Sequence, residues 1–357
     1  MFVKTLHLRQ FRCFESLQLS FDTPVTIIEG PNGSGKTSLI EALYFACYLR
    51  SFRTHLPREL ALWETKGFSL VLTGDITPAS DGWDLKIMVS GSKRMVKANN
   101  VTIASYKELF DYYRIIAFNA QDMELVSGSP EERRQFIDQA ILLTNPTYIQ
   151  SLKNFRKILK QRNALLAHPT PLKTTSQQDT ESRKLEHFSI WTERLQKATI
   201  EIRAEREVYV ALLEKELQHL INENLKPDIP VVTLKYKAVD ERNITIEREI
   251  YMRRSLIGAH LDEIEIFFNQ QSARRFASRG QLKLIVYFLK LAQLSLLNKP
   301  TVVVVDDFIT DFDKERSERL IELLCSHGNQ VIFTVPSGSD LNERIRNNYQ
   351  TSVIQLT

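Results

Sequence analysis

Apolar and polar positions alternate through Leu17, Leu19 and Phe21, a period of two that predicts a half-buried strand. The next run, "VTIIEG" from Val25 to Gly30, is apolar almost throughout and leads into a glycine-rich turn, as a buried strand would. Beyond that turn the period changes. Leu39, Ile40, Leu43, Tyr44 and Cys47 recur at helical spacing, which predicts a helix from Lys36 to Tyr48. "GFSLVLTGDI" and "WDLKIMVSG" return to alternation and read as antiparallel strands between polar turns. Strand, loop, helix and more strands predict a mixed α/β domain.

From about Ser129 to Leu225 the pattern is helical and heavily charged, as in "EERRQFIDQAILL" and "YIQSLKNFRKILKQRNALLA". Glycine is absent between Gly128 and Gly258, and the proline- and threonine-rich "HPTPLKTTSQQDT" separates the helices. An antiparallel helical arm inserted into the α/β domain is expected. Trp191, Leu195, Ile202, Leu212 and Leu220 suit packing within that arm better than a groove for a partner. Strands resume at "VVTLKYKA", and four consecutive valines in "TVVVVDD" predict a strand buried on both faces. The expected division is 1–128 for the first half of the α/β domain, 129–226 for the arm, and 227–357 for the second half.

"GPNGSGKT", Gly30 to Thr37, fits G-x-x-x-x-G-K-[ST] between a predicted strand and a predicted helix, the context this phosphate-binding motif requires. Backbone N–H groups of such a loop, with the positive end of the helix behind them, cradle phosphate oxygens. Lys36 would neutralise β- and γ-phosphate oxygens, and the Thr37 hydroxyl would ligate Mg²⁺. Asp306 at the end of the valine strand would hold the metal, and Asp307 would orient or deprotonate an attacking water. Apolar strands often end in an acid, so the second half of the site depends on the first.

Composition changes this picture little. The 357 residues suffice for one large domain or two ordinary ones, with 43% hydrophobic and 25% charged residues. A net charge of +4 does not by itself announce a nucleic-acid partner. Cys13, Cys47 and Cys325 are too scattered for a zinc module or a disulfide framework, and the histidines show no metal spacing. No run of eighteen apolar residues and no signal-peptide pattern is present, so a cytoplasmic protein without a membrane span is expected.

One stretch resists a purely structural account. "FASRGQLK" (276–283) places Ser278, Arg279, Gly280 and Gln281 at the start of an apolar helix. Ser278 alone would make an ordinary N-cap. Alternatively, serine hydroxyl, glycine N–H and helix dipole form an anion-binding end.

These motifs together resemble the RecF family, cassette-type ATPases related to the structural-maintenance-of-chromosomes proteins. The likeness runs nearly end to end, through "LHLRQFRCF", the phosphate loop, "RSFRTH", "SGSPEERRQFID", "GAHLDE", "RFASRGQLK" and "VVVVDDFITDFD". It implies an α/β head of the ABC-type P-loop ATPase fold (a mixed sheet with helices) carrying an inserted helical arm. It further implies ATP and Mg²⁺ as cofactors, slow hydrolysis, and an ATP-dependent homodimer with each ATP between one subunit's phosphate loop and the other's signature motif. DNA binding (double-stranded or gapped, with single strands possible), action with RecR and RecO in loading RecA, and a part in the SOS response are implied as well. By position, the resemblance assigns the nucleotide to Gly30, Asn32, Gly33, Ser34, Gly35, Lys36, Thr37, Ser38 and Arg12, and Ser278, Gly280 and Gln281 to the partner's nucleotide. Asp307, Lys36 and Gln121 take the catalytic positions, Gln121 in the Q-loop; Thr37 and Asp306 take Mg²⁺; Thr310–Asp313 match the D-loop. Three departures stand out. Leu261 replaces the arginine of a usual GPHRDD segment, Thr310 a usual serine, and Thr334 stands near a switch position that often holds histidine.

Lys153, Arg156, Lys157 and Lys160 share one helical face in a stretch without an acid, which suits a DNA phosphate track or simply a solvated face. Arg133 and Arg134 fit a binding surface or pairs with Glu131 and Glu132; Arg50, Arg53 and His55 fit coupling to nucleotide or salt bridges; Lys93, Arg94 and Lys97 suit a solvated hairpin tip. Two other functions compete with an ATP-switched DNA clamp. A transport ATPase would keep its motifs closer than the 270 positions between Lys36 and Asp306. A scaffold that binds nucleotide but scarcely hydrolyses it would suit Asp307 in place of the commoner glutamate.

Overall fold

The computed structural model describes residues 1–75, 82–103, 106–167, 178–225, 230–307, 312–326 and 328–357. The chain divides into two compact units, Met1–Met123 with Val286–Thr357, and Glu124–Ile285.

The first unit begins with β1 (Phe2–Phe11), β2 (Phe14–Ser20), β3 (Val25–Gly30) and α1 (Lys36–Tyr48). It continues through β4 (Gly67–Asp75), β5 (Trp83–Ser90), β6 (Lys93–Ala98), β7 (Val101–Thr102), α2 (Tyr106–Tyr112) and β8 (Ile115–Phe118). The second unit holds α3 (Glu124–Ser127), α4 (Pro130–Thr144), α5 (Tyr148–Ala167), α6 (Gln178–Asn224), β9 (Val232–Lys237) and α7 (Ile246–Met252). It closes with β10 (Glu263–Phe268), β11 (Gln271–Ser272) and α8 (Ala273–Phe276), and the unit border falls inside α9 (Arg279–Leu297). Then β12 (Val302–Asp306), α10 (Lys314–Cys325), β13 (Gln330–Pro336), α11 (Asp340–Asn348) and β14 (Thr351–Gln355) complete the first unit.

Two sheets build the first unit. One is antiparallel in the order β2-β1-β4-β5-β6-β7, and its alternating strands bury Leu70 and Leu72 on one face. The other is parallel, β14-β3-β13-β12-β8, and all five residues of β12 are buried, as a strand covered on both faces must be. Helix α1 packs against strands of both sheets, β8, β12 and β3 on one side and β4 on the other. It is therefore buried nearly all round rather than on one stripe.

In the second unit α5 and α6 pair antiparallel. Arg162 of α5 reaches Thr192 and the Phe188 ring on α6, whereas Tyr148, at the other end of α5, shares Asp138 with Arg206. The three-stranded sheet β11-β10-β9 packs on α4 and α6. The sequence boundary at 227 therefore falls inside this unit. Residues 230–285 lie with the helices because β9 is tied to α6: Gln218 Oε1 accepts from Val232 N at 3.1 Å and Glu214 Oε1 from Leu234 N at 3.2 Å. Most of the proline- and threonine-rich hinge, 168–177, lies outside the described residues.

Among the described residues, α9 alone has the length and apolar composition to cross a membrane, and 67% of its apolar window is buried inside the protein. Packing of Val286, Tyr287, Phe288 and Ala292 into the first unit accounts for that composition.

Candidate functional site

The phosphate loop leaves β3 at Gly30 and enters α1 at Lys36. Space dictates glycine at position 30, where a Cβ would lie 2.7 Å from the Leu356 carbonyl oxygen. Gly35 caps α1 with φ +96, and a Cβ there would come within 2.5 Å of the Phe14 ring. The tight turn folds the buried Lys36 ammonium back onto the Gly30 carbonyl at 2.7 Å and the Pro31 carbonyl at 3.1 Å. Asn32 and Gly33 are exposed, Ser38 is buried, and the Ser34 hydroxyl is buried without a hydrogen-bond partner. A donor left unmatched beside a glycine loop is what an anionic ligand would satisfy.

The parallel sheet brings Asp306 to this loop. Asp306 Oδ1 accepts from Thr334 Oγ1 at 2.8 Å, a pairing set by the β12–β13 register. The Thr334 oxygen in turn accepts from Asp307 N at 3.1 Å, so one hydroxyl joins the Asp306 carboxylate to the Asp307 main chain. Burial raises the Asp306 pKa, opposed by hydrogen bonds from Thr334 and Thr37 and by the charge of Lys36. A buried carboxylate touching the Thr37 hydroxyl fits a hard divalent cation, which favours oxygen ligands. Asp307 sits at φ +47, a left-handed conformation uncommon for a residue other than glycine. Thr334, noted in the sequence as a departure, thus orders the Asp306 carboxylate and the backbone of Asp307.

Gln121 lies beyond β8, which pairs with β12 in parallel so that Phe118 stands opposite Val305. Its backbone N–H donates to Asn119 Oδ1 at 2.9 Å, and Asn119 N donates to Asp122 Oδ2 at 2.7 Å. Asp122 also meets Lys290 of α9 at 2.5 Å. Neither Asn119 nor the Asp122–Lys290 pair was assigned a role in the sequence. A lysine inside the apolar run of α9 was the available signal, since a buried charge must find a partner.

Arg12 is committed to structure. It makes two hydrogen bonds to Glu41, at 2.7 and 2.6 Å, and donates to the Glu59 carbonyl at 2.8 Å. Glu41 is fully buried on α1 and also meets Arg53 at 3.6 Å. Arg53 thus has a salt-bridge partner, and its charge also acts on Asp306, so it serves both readings the sequence left open, while Arg50 lies over the Tyr48 ring. Arg94 is not simply solvated, because it donates to the Leu49 carbonyl just past α1 at 2.9 Å.

The stretch 278–281 is a capping box. Gln281 N donates to Ser278 Oγ at 3.3 Å and Ser278 N to Gln281 Oε1 at 2.8 Å. Ser278, Arg279, Gly280 and Gln281 are all exposed, and a Cβ on Gly280 would meet nothing within 4 Å. No crowding among the described residues demands glycine at this second position of α9. Of the D-loop match, 308–311 lie outside the described residues, and Asp313 caps α10 through Arg316 N.

On α5, Lys153, Arg156, Lys157 and Lys160 are exposed, opposite the buried face of Leu152, Phe155, Ile158 and Leu166. None of the four forms an ion pair with a described residue. Arg162, the fifth base of this stretch, is buried and paired with Glu249. Arg133 pairs with Glu263 at 2.8 Å and Arg134 donates to the Asp262 carbonyl at 2.7 Å, so neither turns to Glu131 or Glu132 as the sequence allowed. The altered GAHLDE segment is a structural hub. Its Asp262 is fully buried and accepts from Arg203, Tyr236 and Val239, while the Ala259 carbonyl accepts from Arg206.

Comparisons with known proteins agree in direction. A family model described as an AAA domain matches residues 5–324. The DNA replication and repair protein RecF of Natranaerobius thermophilus is 30% identical over 366 residues, covering 94% of this chain and 92% of that protein. The chain belongs to the RecF family. The RecF of Desulfitobacterium hafniense is 27% identical, covering 96% and 95%. A solved structure described as the recombination mediator protein RecF–ATP in the RecFOR pathway superposes with a TM-score of 0.82 at 22% identity, covering 95% of this chain and 93% of that one. The Smc head domain of Pyrococcus furiosus gives 0.57 at 14% identity, covering 100% and 94%. The mixed α/β fold is thus that of an ABC-type ATPase head, shared between RecF and Smc heads.

Proposed function

We propose that this RecF-family chain is an ATP-dependent DNA-binding protein of recombinational repair, in which ATP closes a homodimer over double-stranded or gapped DNA and slow hydrolysis reopens it. The observation that carries the reading is the meeting of Lys36, Thr37, Asp306 and Thr334 at the C-terminal ends of the parallel strands. Ligands bind at such strand ends in open α/β sheets. Lys36 and the loop N–H groups would bind the triphosphate, while Thr37 and Asp306 would hold Mg²⁺. When bound, that ion supplies charge neutralisation at the phosphate oxygens. Asp307, its backbone N–H bonded to the Thr334 hydroxyl, would orient water, and Gln121 would report the state of the pocket. Arg12, through Glu41, would steady α1 behind the lysine.

The exposed Ser278–Gln281 end supports a ligand contributed by a second copy, because nothing among the described residues approaches Gly280. The α5 stripe supports contact with DNA phosphates. Action with RecR and RecO in loading RecA, with a part in the SOS response, is part of the same proposal and is supported by the family likeness. The same family likeness supports a cytoplasmic location.

A second reading, a dimerising scaffold with negligible turnover, is favoured by the short Asp307 side chain on its left-handed backbone. Comparing ATP hydrolysis with and without duplex DNA separates the two. The clamp requires turnover that rises when duplex is added, whereas equal background rates in both arms leave only the scaffold.

A further inference from the structure

The helix α7 is seven residues long and almost wholly exposed, yet one of the most deeply buried ion pairs in the second unit anchors it. Its only buried residue, Glu249, receives both Arg162 guanidinium nitrogens, at 2.8 and 2.6 Å, and the Leu256 N–H at 2.8 Å. Ser255 adds a second tie to α5, its N–H donating to Asn163 Oδ1 at 2.7 Å. The segment 249–256 is therefore pinned along one flank of α5.

That flank adjoins the basic stripe. Asn163 is three residues beyond Lys160 and seven beyond Arg156, so all three share one side of the helix. The residues leading into Ser255 are Tyr251, Met252, Arg253 and Arg254, all exposed, with Tyr251 85% accessible. Arg253 occupies the left-handed C-cap of α7 at φ 53, where glycine is the usual choice. A charged residue held in that conformation points to a use for its side chain. Neither arginine forms an ion pair with a described residue. Helix α5 has no acid, the exposed Glu247 lies at the far end of α7, and Asp240 is paired with Arg242.

We infer that the phosphate track on α5 continues onto the end of α7, where Arg253 and Arg254 take further nucleic-acid phosphates and Tyr251 packs against a sugar or base beside them. This rests on the reading of the α5 stripe as a DNA contact. The Glu249–Arg162 pair and the Ser255–Asn163 bond set the register between the two basic groups, so the surface is rigid before any ligand arrives. Six cations then lie on one face: Lys153, Arg156, Lys157, Lys160, Arg253 and Arg254.

The test is the salt dependence of affinity for a fluorescein-labelled duplex, measured by anisotropy on the full chain with ATP present. Three variants are compared with the parent: Arg253→Gly with Arg254→Ala, which keeps the left-handed cap; Tyr251→Ala; and Lys153→Ala with Lys157→Ala and Lys160→Ala. Unchanged circular dichroism and thermal unfolding confirm that each is folded. The arginine variant is expected to flatten the slope of log K against log salt by up to about 1.8, at roughly 0.9 per phosphate contact. Its loss of affinity should grow as salt is lowered. The tyrosine variant should bind more weakly with the slope unaltered, since no charge is removed. If the stripe variant loses slope while the arginine variant matches the parent, the inference fails and the α5 reading stands. If neither changes, both fail.

Discussion

Lys290 Nζ lies 2.5 Å from Asp122 Oδ1, inside the first unit and one residue from Gln121. The same ammonium donates to the Ala117 carbonyl at the end of β8 and stands over the Phe118 ring. Burial raises the Asp122 pKa and lowers that of Lys290, and the charge of each partner opposes the shift of the other. The ions are thus held in a site that disfavours either one alone. Replacing Lys290 by Met should destabilise the protein by about 3–5 kcal/mol, because Asp122 is left buried and unpaired. Lys290→Met with Asp122→Leu should recover most of that loss in urea unfolding. If the single and double variants unfold alike, the pair is not what the lysine contributes. The double variant also frees Asn119 N from its Asp122 acceptor, so ATP turnover should fall further than ATP affinity as Gln121 loses its fixed position.

Lys36→Ala removes the ammonium folded onto the glycine loop carbonyls. ATP-induced dimerisation should be abolished, as read by light scattering. Equal dimer formation by this variant and the parent would place the nucleotide elsewhere.

Ser278→Arg disturbs a capping box worth about 1 kcal/mol and puts a bulky cation on an exposed helix end. Because the motif is expected to serve a second copy, binding of a fluorescent ATP analogue by the monomer should persist while ATP-dependent dimers disappear from sizing runs. Loss of monomer binding would mean that the motif acts within its own chain.

His260 carries a pH dependence whose sign follows from its surroundings. Its Nδ1 is buried without a hydrogen-bond partner, and Nε2 lies 3.4 Å from the Ser255 carbonyl. Burial lowers its pKa below 6.5; the Ser255 carbonyl and Asp262 pull it up, while Arg134 and Arg162 push it down further. The folded state therefore holds fewer protons than the unfolded chain. That contribution to stability is complete above pH 6.5 and is lost as pH falls through the folded-state value. His260→Gln should flatten the pH dependence of unfolding below 6.5, by no more than about 1.4 kcal/mol per pH unit. An identical profile in the variant would remove His260 from the account.

Periodicity alone marked out β3, α1, β12 and the long helices, because strand and helix faces impose periods of two and 3.6 on whatever they bury. The spacing of glycines, Lys36 and Thr37 likewise announced a phosphate loop, since backbone geometry there leaves few residue choices. The limits of the second unit were not legible: β9 and β10 carry the same alternation as strands of the first unit, and only their packing on α4 and α6 assigns them.

Charge was the least legible property. Arg162 and Lys157 look alike in a basic stretch, yet one is buried against Glu249 and the other faces solvent. The partners that decide it, Glu249 for Arg162, Glu263 for Arg133 and Glu41 for Arg12, stand 87, 130 and 29 positions away. The amino-acid order by itself determined the elements, the phosphate loop and the family likeness, all of which arise from short-range periodicity and local backbone geometry. Which cations remain free for a ligand, and how one threonine joins the Asp306 carboxylate to the Asp307 main chain, only the tertiary structure decided, because those facts depend on contacts between segments that local pattern does not encode.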